Sequence, residues 1–135
     1  MSGYKILRKY SGCDEITCRK ELMEFFKANN VACDPKTTPW CAAAVKAAET
    51  ADGKDTKVLN LMARSGLKYG TPVQLKDARE GDVVVFKRGA PPSGHISYFV
   101  RLEGDYVVCF GGNQSDRVCE SKYPVSGLIG IRRPI

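Results

Sequence analysis

The chain of 135 residues contains one histidine, His95, and one tryptophan, Trp40. A single imidazole leaves a zinc site dependent on thiolates, and the spacing of Cys13 and Cys18 fits the tight ligand pairs of structural zinc only loosely. No acidic cluster is present. Asp52 and Asp55, on either side of Gly53, supply too few oxygens for a hard cation. The expectation is therefore a protein with no cofactor and no metal. No apolar stretch approaches a membrane span. The first residues, MSGYKILRKYSGCDE, lack the apolar core of a secretory signal. They imply synthesis in the cytoplasm, no stable membrane insertion, and exit by some other route. The six cysteines are then expected to be free thiols rather than three disulfides.

Repeats, low-complexity segments and linkers are also missing, so residues 1–135 read as one domain. Lys and Arg total 21 against 15 Asp and Glu, a net charge of +6. Polyanionic partners suit such a balance. Yet the basic residues occur in scattered pairs, such as Arg19-Lys20, Lys87-Arg88 and Arg132-Arg133, and never as a block. The aromatics interleave with strand hydrophobics rather than with arginines, and no nucleic-acid-binding motif is found. A nucleic-acid partner is not expected.

Helical periodicity covers 14–29, where Ile16, Leu22, Phe25 and Phe26 share a face and Asp14 and Glu15 occupy the first turn. Residues 1–30 thus form an N-terminal helical segment. A second helix is expected from Thr38 as cap and Pro39 as first residue through the alanines to Gly53. A third is expected over 56–65. After Pro72 the pattern turns to strands: 82–87, 95–102, 106–110, and short ones near 117–120 and 128–132. Helices followed by antiparallel strands predict an α+β domain, with N-terminal helices packed on a small antiparallel β-sheet.

Capped at Thr38, that helix has Cys41 as its third residue, where the helix dipole favours a thiolate, the nucleophilic form. A small buried cysteine at a helix start is the competing reading. His95 follows Gly94 at a strand start, suited to a base at the edge of a cleft, although histidine serves many purposes. A three-residue hairpin turn, Glu103-Gly104-Asp105, sets His95 opposite Asn113, with Cβ atoms about 4.5–5.5 Å apart. A two-residue turn moves the partner to Gly112 or Gln114. An amide oxygen there would accept the imidazole N–H, as in Cys-His-Asn hydrolases. Asn113 is alternatively a turn former in GGNQSD. Trp40 is either a substrate platform or a core aromatic.

The segments TPWCAAAV, ARSGLKYGTPV, GDVVVFKRG, GHISYFV, GGNQSD and IGIRRP, taken in order, resemble a phage endolysin-like subgroup of the CHAP and NlpC-type cysteine peptidoglycan hydrolases. The resemblance spans residues 38–134. It implies a papain-like fold and cleavage of amide bonds in cell-wall peptides, with Cys41 as nucleophile, His95 as base and Asn113 as orienting residue. It also implies a monomer whose partner is bacterial peptidoglycan, which it meets after release from the cytoplasm. Trp40, Gly94 and Gln114 are candidate substrate contacts. The expected resting state is a Cys41–His95 ion pair. A phage lysis enzyme is the first role; a secreted antibacterial effector with the same chemistry, or a fold retained as a structural part, are the others. The subgroup's usual tryptophan is replaced by Gly66, which implies a smaller or looser pocket wall.

Overall fold

The computed structural model describes residues 2–91 and 93–135. Three helices precede the sheet: α1 (Gly3–Arg8), α2 (Arg19–Ala28) and α3 (Cys41–Ala51). Six strands follow: β1 (Thr71–Pro72), β2 (Val83–Lys87), β3 (Gly94–Glu103), β4 (Tyr106–Gln114), β5 (Arg117–Pro124) and β6 (Leu128–Arg133). Every pairing is antiparallel, in the order β1-β6-β2-β3-β4-β5. The α+β expectation holds. Among the described residues no helix is long and apolar enough to cross a membrane, and all six cysteines are free thiols.

Local boundaries differ from expectation for identifiable reasons. The first predicted helix starts only at Arg19, because Asp14 closes a turn of its own: its Oδ1 accepts the amides of Ile16 and Thr17 at 2.8 Å. A short helix not foreseen, α1, is capped by the Ser2 hydroxyl, which accepts the Lys5 amide. Residues 56–65 do not make an α-helix. They form turns leading into a 3₁₀ helix at Ala63–Lys68 that contains Gly66. Gly66 leaves no loose wall: a Cβ there would lie 2.5 Å from Ile96 Cδ1 and 3.0 Å from Val85 Cγ2. The side chains of the sheet occupy that space.

One face of the sheet carries α3. Ala43, Ala44, Ala47 and Ala48 are fully buried, and their small side chains let the helix lie close to β3 and β4. The closest approach is at Gly112. A Cβ there would sit 2.7 Å from the ring of Trp40 and 2.9 Å from Ala44 Cβ. Trp40 is wholly buried, its indole N–H donating to Glu15 Oε2 at 3.2 Å. At the other end of the helix, the buried Glu49 carboxyl accepts hydroxyls from Tyr69 and Tyr98, both at 2.7 Å. The opposite face of the sheet holds a smaller cluster of Val84, Phe86, Phe99, Val107, Cys109 and Ile131.

Two irregularities set the register near β3. Glu103 pairs with Tyr106 around a two-residue turn, Gly104-Asp105, in place of the expected three-residue turn. A bulge between Phe99 and Arg101 then restores the expected phase, so that Tyr98 faces Phe110. The contact at Gly112 leads to an expected outcome. Gly112→Ala pushes a methyl group into the Trp40 ring and lowers stability by about 1–3 kcal/mol, the cost of overpacking a filled core. Gly127, whose added Cβ meets nothing within 4 Å, is the control: Gly127→Ala should melt with wild type. Thermal denaturation followed by circular dichroism measures both.

Candidate active site

Cys41 is the first residue of α3, two positions closer to the helix start than a Thr38 cap would give. Trp40 is the cap residue, and its carbonyl accepts the Ala44 amide at 3.0 Å. Pro39 lies outside the helix, because the buried Trp40 ring holds the chain in a non-helical conformation just before Cys41. The thiol is buried, 6 % exposed, against the Ile96 amide of β3. Sequence position therefore put Cys41 at a helix N-terminus, and the fold puts that terminus beside the strand that begins with Gly94-His95.

His95 is 1 % exposed. It shares its sheet face with Phe86, its cross-strand neighbour on β2, and its ring packs 4.9 Å from that of Tyr123 on β5. Its Nε2 lies 2.9 Å from Gln114 Oε1. The rest of the Gln114 amide fixes which atom donates. Gln114 Nε2 gives its two hydrogens to the carbonyls of Cys119 at 2.6 Å and Cys109 at 3.3 Å. The oxygen must then face His95, and it also accepts the Ser97 hydroxyl at 2.8 Å. A carbonyl oxygen can only accept, so His95 carries its proton on Nε2. Nδ1 keeps its lone pair and is buried with no hydrogen-bond partner.

The side chain hydrogen-bonded to His95 is thus Gln114 and not Asn113, the residue expected opposite it. Between Gly111 and Gln114 the β4–β5 register slips by one residue. Asn113 takes up the slip in a left-handed conformation, φ +55°. A one-residue slip reverses which face each following side chain occupies. Gln114 consequently turns onto the face of His95 and Ser97, while Asn113 makes no side-chain hydrogen bond. Gln114 is 1 % exposed and not a substrate contact. Trp40, sealed in the core, is no substrate platform. Gly94 is a packing position, since a Cβ there would come 2.9 Å from the Phe86 carbonyl and 3.2 Å from Arg64 Cγ.

The electrostatics also depart from an ion pair. Burial pushes the His95 pKa down to about 4, helped by the nearby Arg88 guanidinium and opposed by the Gln114 hydrogen bond. Burial raises the Cys41 thiol above its ordinary value, outweighing the amides of Ile96, Ala42 and Cys41 itself and the positive charge of Arg88. Both groups are neutral at rest near pH 7. Arg88, Ser97 and Tyr123 are parts of the site that sequence reasoning did not pick out. Ser97 was accessible to it, because residues two apart on a strand share a face. Tyr123 comes from β5 and Arg88 from the loop after β2, and neither carried a signal. Among the described residues, no group of three or more His, Cys, Asp or Glu side chains is arranged to hold a metal ion. No family model and no curated protein matches the chain.

Because His95 is the only imidazole, its titration can be followed without ambiguity. Its ring-proton NMR signal should titrate near pH 4, where an exposed histidine titrates near 6.5. Below 6.5 the unfolded chain takes up a proton that the folded chain refuses until about pH 4. This contribution to stability is complete above pH 6.5 and is lost as pH falls to about 4, amounting to about 3 kcal/mol. Urea unfolding across that range measures the loss, which His95→Phe should abolish. A titration midpoint at 6.5 would contradict the buried neutral imidazole.

Proposed function

We propose that this chain is a cysteine-dependent amide hydrolase of bacterial cell-wall peptides, with Cys41 as nucleophile, His95 as general base and Gln114 as the residue that orients the base. One observation carries the reading. The Gln114 amide is bonded so that the single histidine presents an unprotonated, unpartnered Nδ1 one residue along β3 from Ile96, whose amide meets the helix-terminal Cys41 thiol. A structural histidine has no need of a nitrogen left unsatisfied in the core, where the loss costs about 1–3 kcal/mol. The choice of substrate rests on the motif resemblance across residues 38–134. A papain-like fold is the matching architectural reading, supported by a nucleophile helix that precedes an antiparallel sheet bearing the base. Its place of action is the cell wall, reached after release from the cytoplasm.

The chemistry follows from a neutral resting pair. As Cys41 Sγ attacks the scissile carbonyl carbon, the thiol proton passes to His95 Nδ1, so charge develops only during attack. The imidazolium so formed is held through Nε2–H by Gln114. The amide of Cys41, which has no helical partner at the first position of α3, turns from its own sulfur to donate to the developing oxyanion. His95 returns the proton to the leaving nitrogen, the C–N bond breaks, and a thioester remains on Cys41. Water gives a proton to Nδ1 as it attacks the thioester, and the carboxylic acid departs while the proton returns to sulfur. Burial makes the free thiol a poor thiolate, so general-base help is required throughout.

Clearing of purified cell-wall suspensions, with mass spectrometry of the soluble products, tests the assignment. Cys41→Ser and His95→Ala should each abolish clearing while leaving the circular dichroism spectrum unchanged. A folded Cys41→Ser protein that still clears walls would refute the cysteine mechanism. The orienting role separates two neighbours. Gln114→Ala should lower kcat by roughly 10²-fold or more, the scale of a lost general base. Asn113→Gly, which keeps the left-handed backbone, should turn over close to wild type. The reverse pattern would restore Asn113 to the site.

A further inference from the structure

The first 37 residues lie outside the stretch that resembles known hydrolases, yet they build a feature beside Cys41. A groove of about 830 Å³ runs between α2 and the segment 30–38 on one side and Leu61 on the other. Both walls lead to the site. The segment 30–38 runs directly into Trp40-Cys41, and Cys33 and Thr38 of that segment both line the groove. Leu61 precedes Ala63 and Arg64, which pack over Gly94, and the Arg64 guanidinium donates to the Ser93 carbonyl at 2.6 Å. The groove thus spans from the chain entering the nucleophile to the chain covering the base's neighbour.

Its lining selects a kind of occupant. Met23 is 36 % exposed and Leu61 39 %, with Val31 buried beneath them, so the floor is aliphatic. No aromatic side chain lines it. Sugar rings are commonly met by aromatic faces, whereas small aliphatic side chains of a peptide suit a floor of Met, Val and Leu. The rim is basic. Arg19 is occupied by Asp34, at 2.6 Å, which leaves Lys20 and Lys27 against the single carboxylate of Glu24. A peptide with small aliphatic side chains and free carboxylates matches both features.

We infer that this groove binds the peptide part of the substrate, and that the N-terminal segment bearing α2 therefore determines specificity for a short anionic peptide. The inference rests on the hydrolase reading for the identity of that peptide. The occupant lies along α2 with its aliphatic side chains over Met23, Val31 and Leu61, its carboxylates toward Lys20 and Lys27, and its scissile end at Cys41.

The test uses binding, so that it does not depend on turnover. Full-length Cys41→Ala protein is titrated by NMR with two probes, a soluble cell-wall stem tetrapeptide and a short N-acetylglucosamine oligomer. The tetrapeptide should shift the signals of Met23, Val31 and Leu61, and the oligomer should leave them in place. Met23→Glu/Leu61→Glu, both at exposed positions and checked for an unchanged melting profile, should weaken tetrapeptide binding about tenfold or more. Lys20→Glu/Lys27→Glu should weaken it too, and less so at high salt. Absence of tetrapeptide binding, shifts confined to other surfaces, or equal binding by the groove variants would overturn the inference. Wild-type turnover on walls is scored separately. Groove binding without turnover would sink the hydrolase reading alone, and turnover without groove binding would sink the inference alone.

Discussion

The close seating of α3 on the sheet is the constraint on which the rest of the molecule depends. A helix with large side chains on its inner face would be held farther from the strands it covers. Here the inner face is alanine, and the strand below it carries glycine at residue 112, so the helix sits lower. Two polar anchors fix its ends. Trp40 wedges the N-terminal end against Gly112 and donates to Glu15. Glu49 secures the other end by accepting Tyr98 from β3 and Tyr69 from the turn that follows the 3₁₀ helix. With both ends held, Cys41 has only one place to go, beside the start of β3.

Glu49 illustrates how a buried carboxyl can be tolerated. Burial raises its pKa, and the two tyrosine hydroxyls oppose that rise by bonding to the charged form. Gly3 of α1 is held against it so closely that a Cβ would collide with the carboxyl. The same few atoms therefore bind together α1, the helix bearing Cys41 and the strand bearing His95. The N-terminal segment is an integral part of the domain. Arg8 extends the link by donating to Tyr4 and Glu120 and lying 4.0 Å over the ring of Phe110.

Within the site, burial outweighs every other influence on charge. A helix N-terminus and a nearby guanidinium favour a thiolate, yet the Cys41 thiol is raised because it is almost wholly removed from water. The imidazole responds in the opposite direction for the same reason. In the proposed mechanism this supplies a base that stays unprotonated over a wide pH range and a nucleophile that stays neutral until substrate and base act on it together. The Gln114 amide makes the arrangement specific, because its four hydrogen bonds leave only one tautomer of His95 acceptable.

The sequence by itself determined the α+β class, the positions of most strands, the alanine-rich helix near residue 41 and the places of Cys41 near a helix start and His95 at a strand start. These follow from periodicity, turn residues and helix propensity, which are local properties. Only the tertiary structure decided that α3 begins at Cys41, since a buried Trp40 overrides the good capping residues at Thr38 and Pro39. It alone set Gln114 rather than Asn113 against His95, because a single slip in the β4–β5 register, taken up by Asn113, reverses the faces of the strand. The protonation states were likewise illegible in one dimension. Motif chemistry suggests a thiolate, but the ionisation of a group depends on how much water surrounds it, and burial is a property of the whole packed chain.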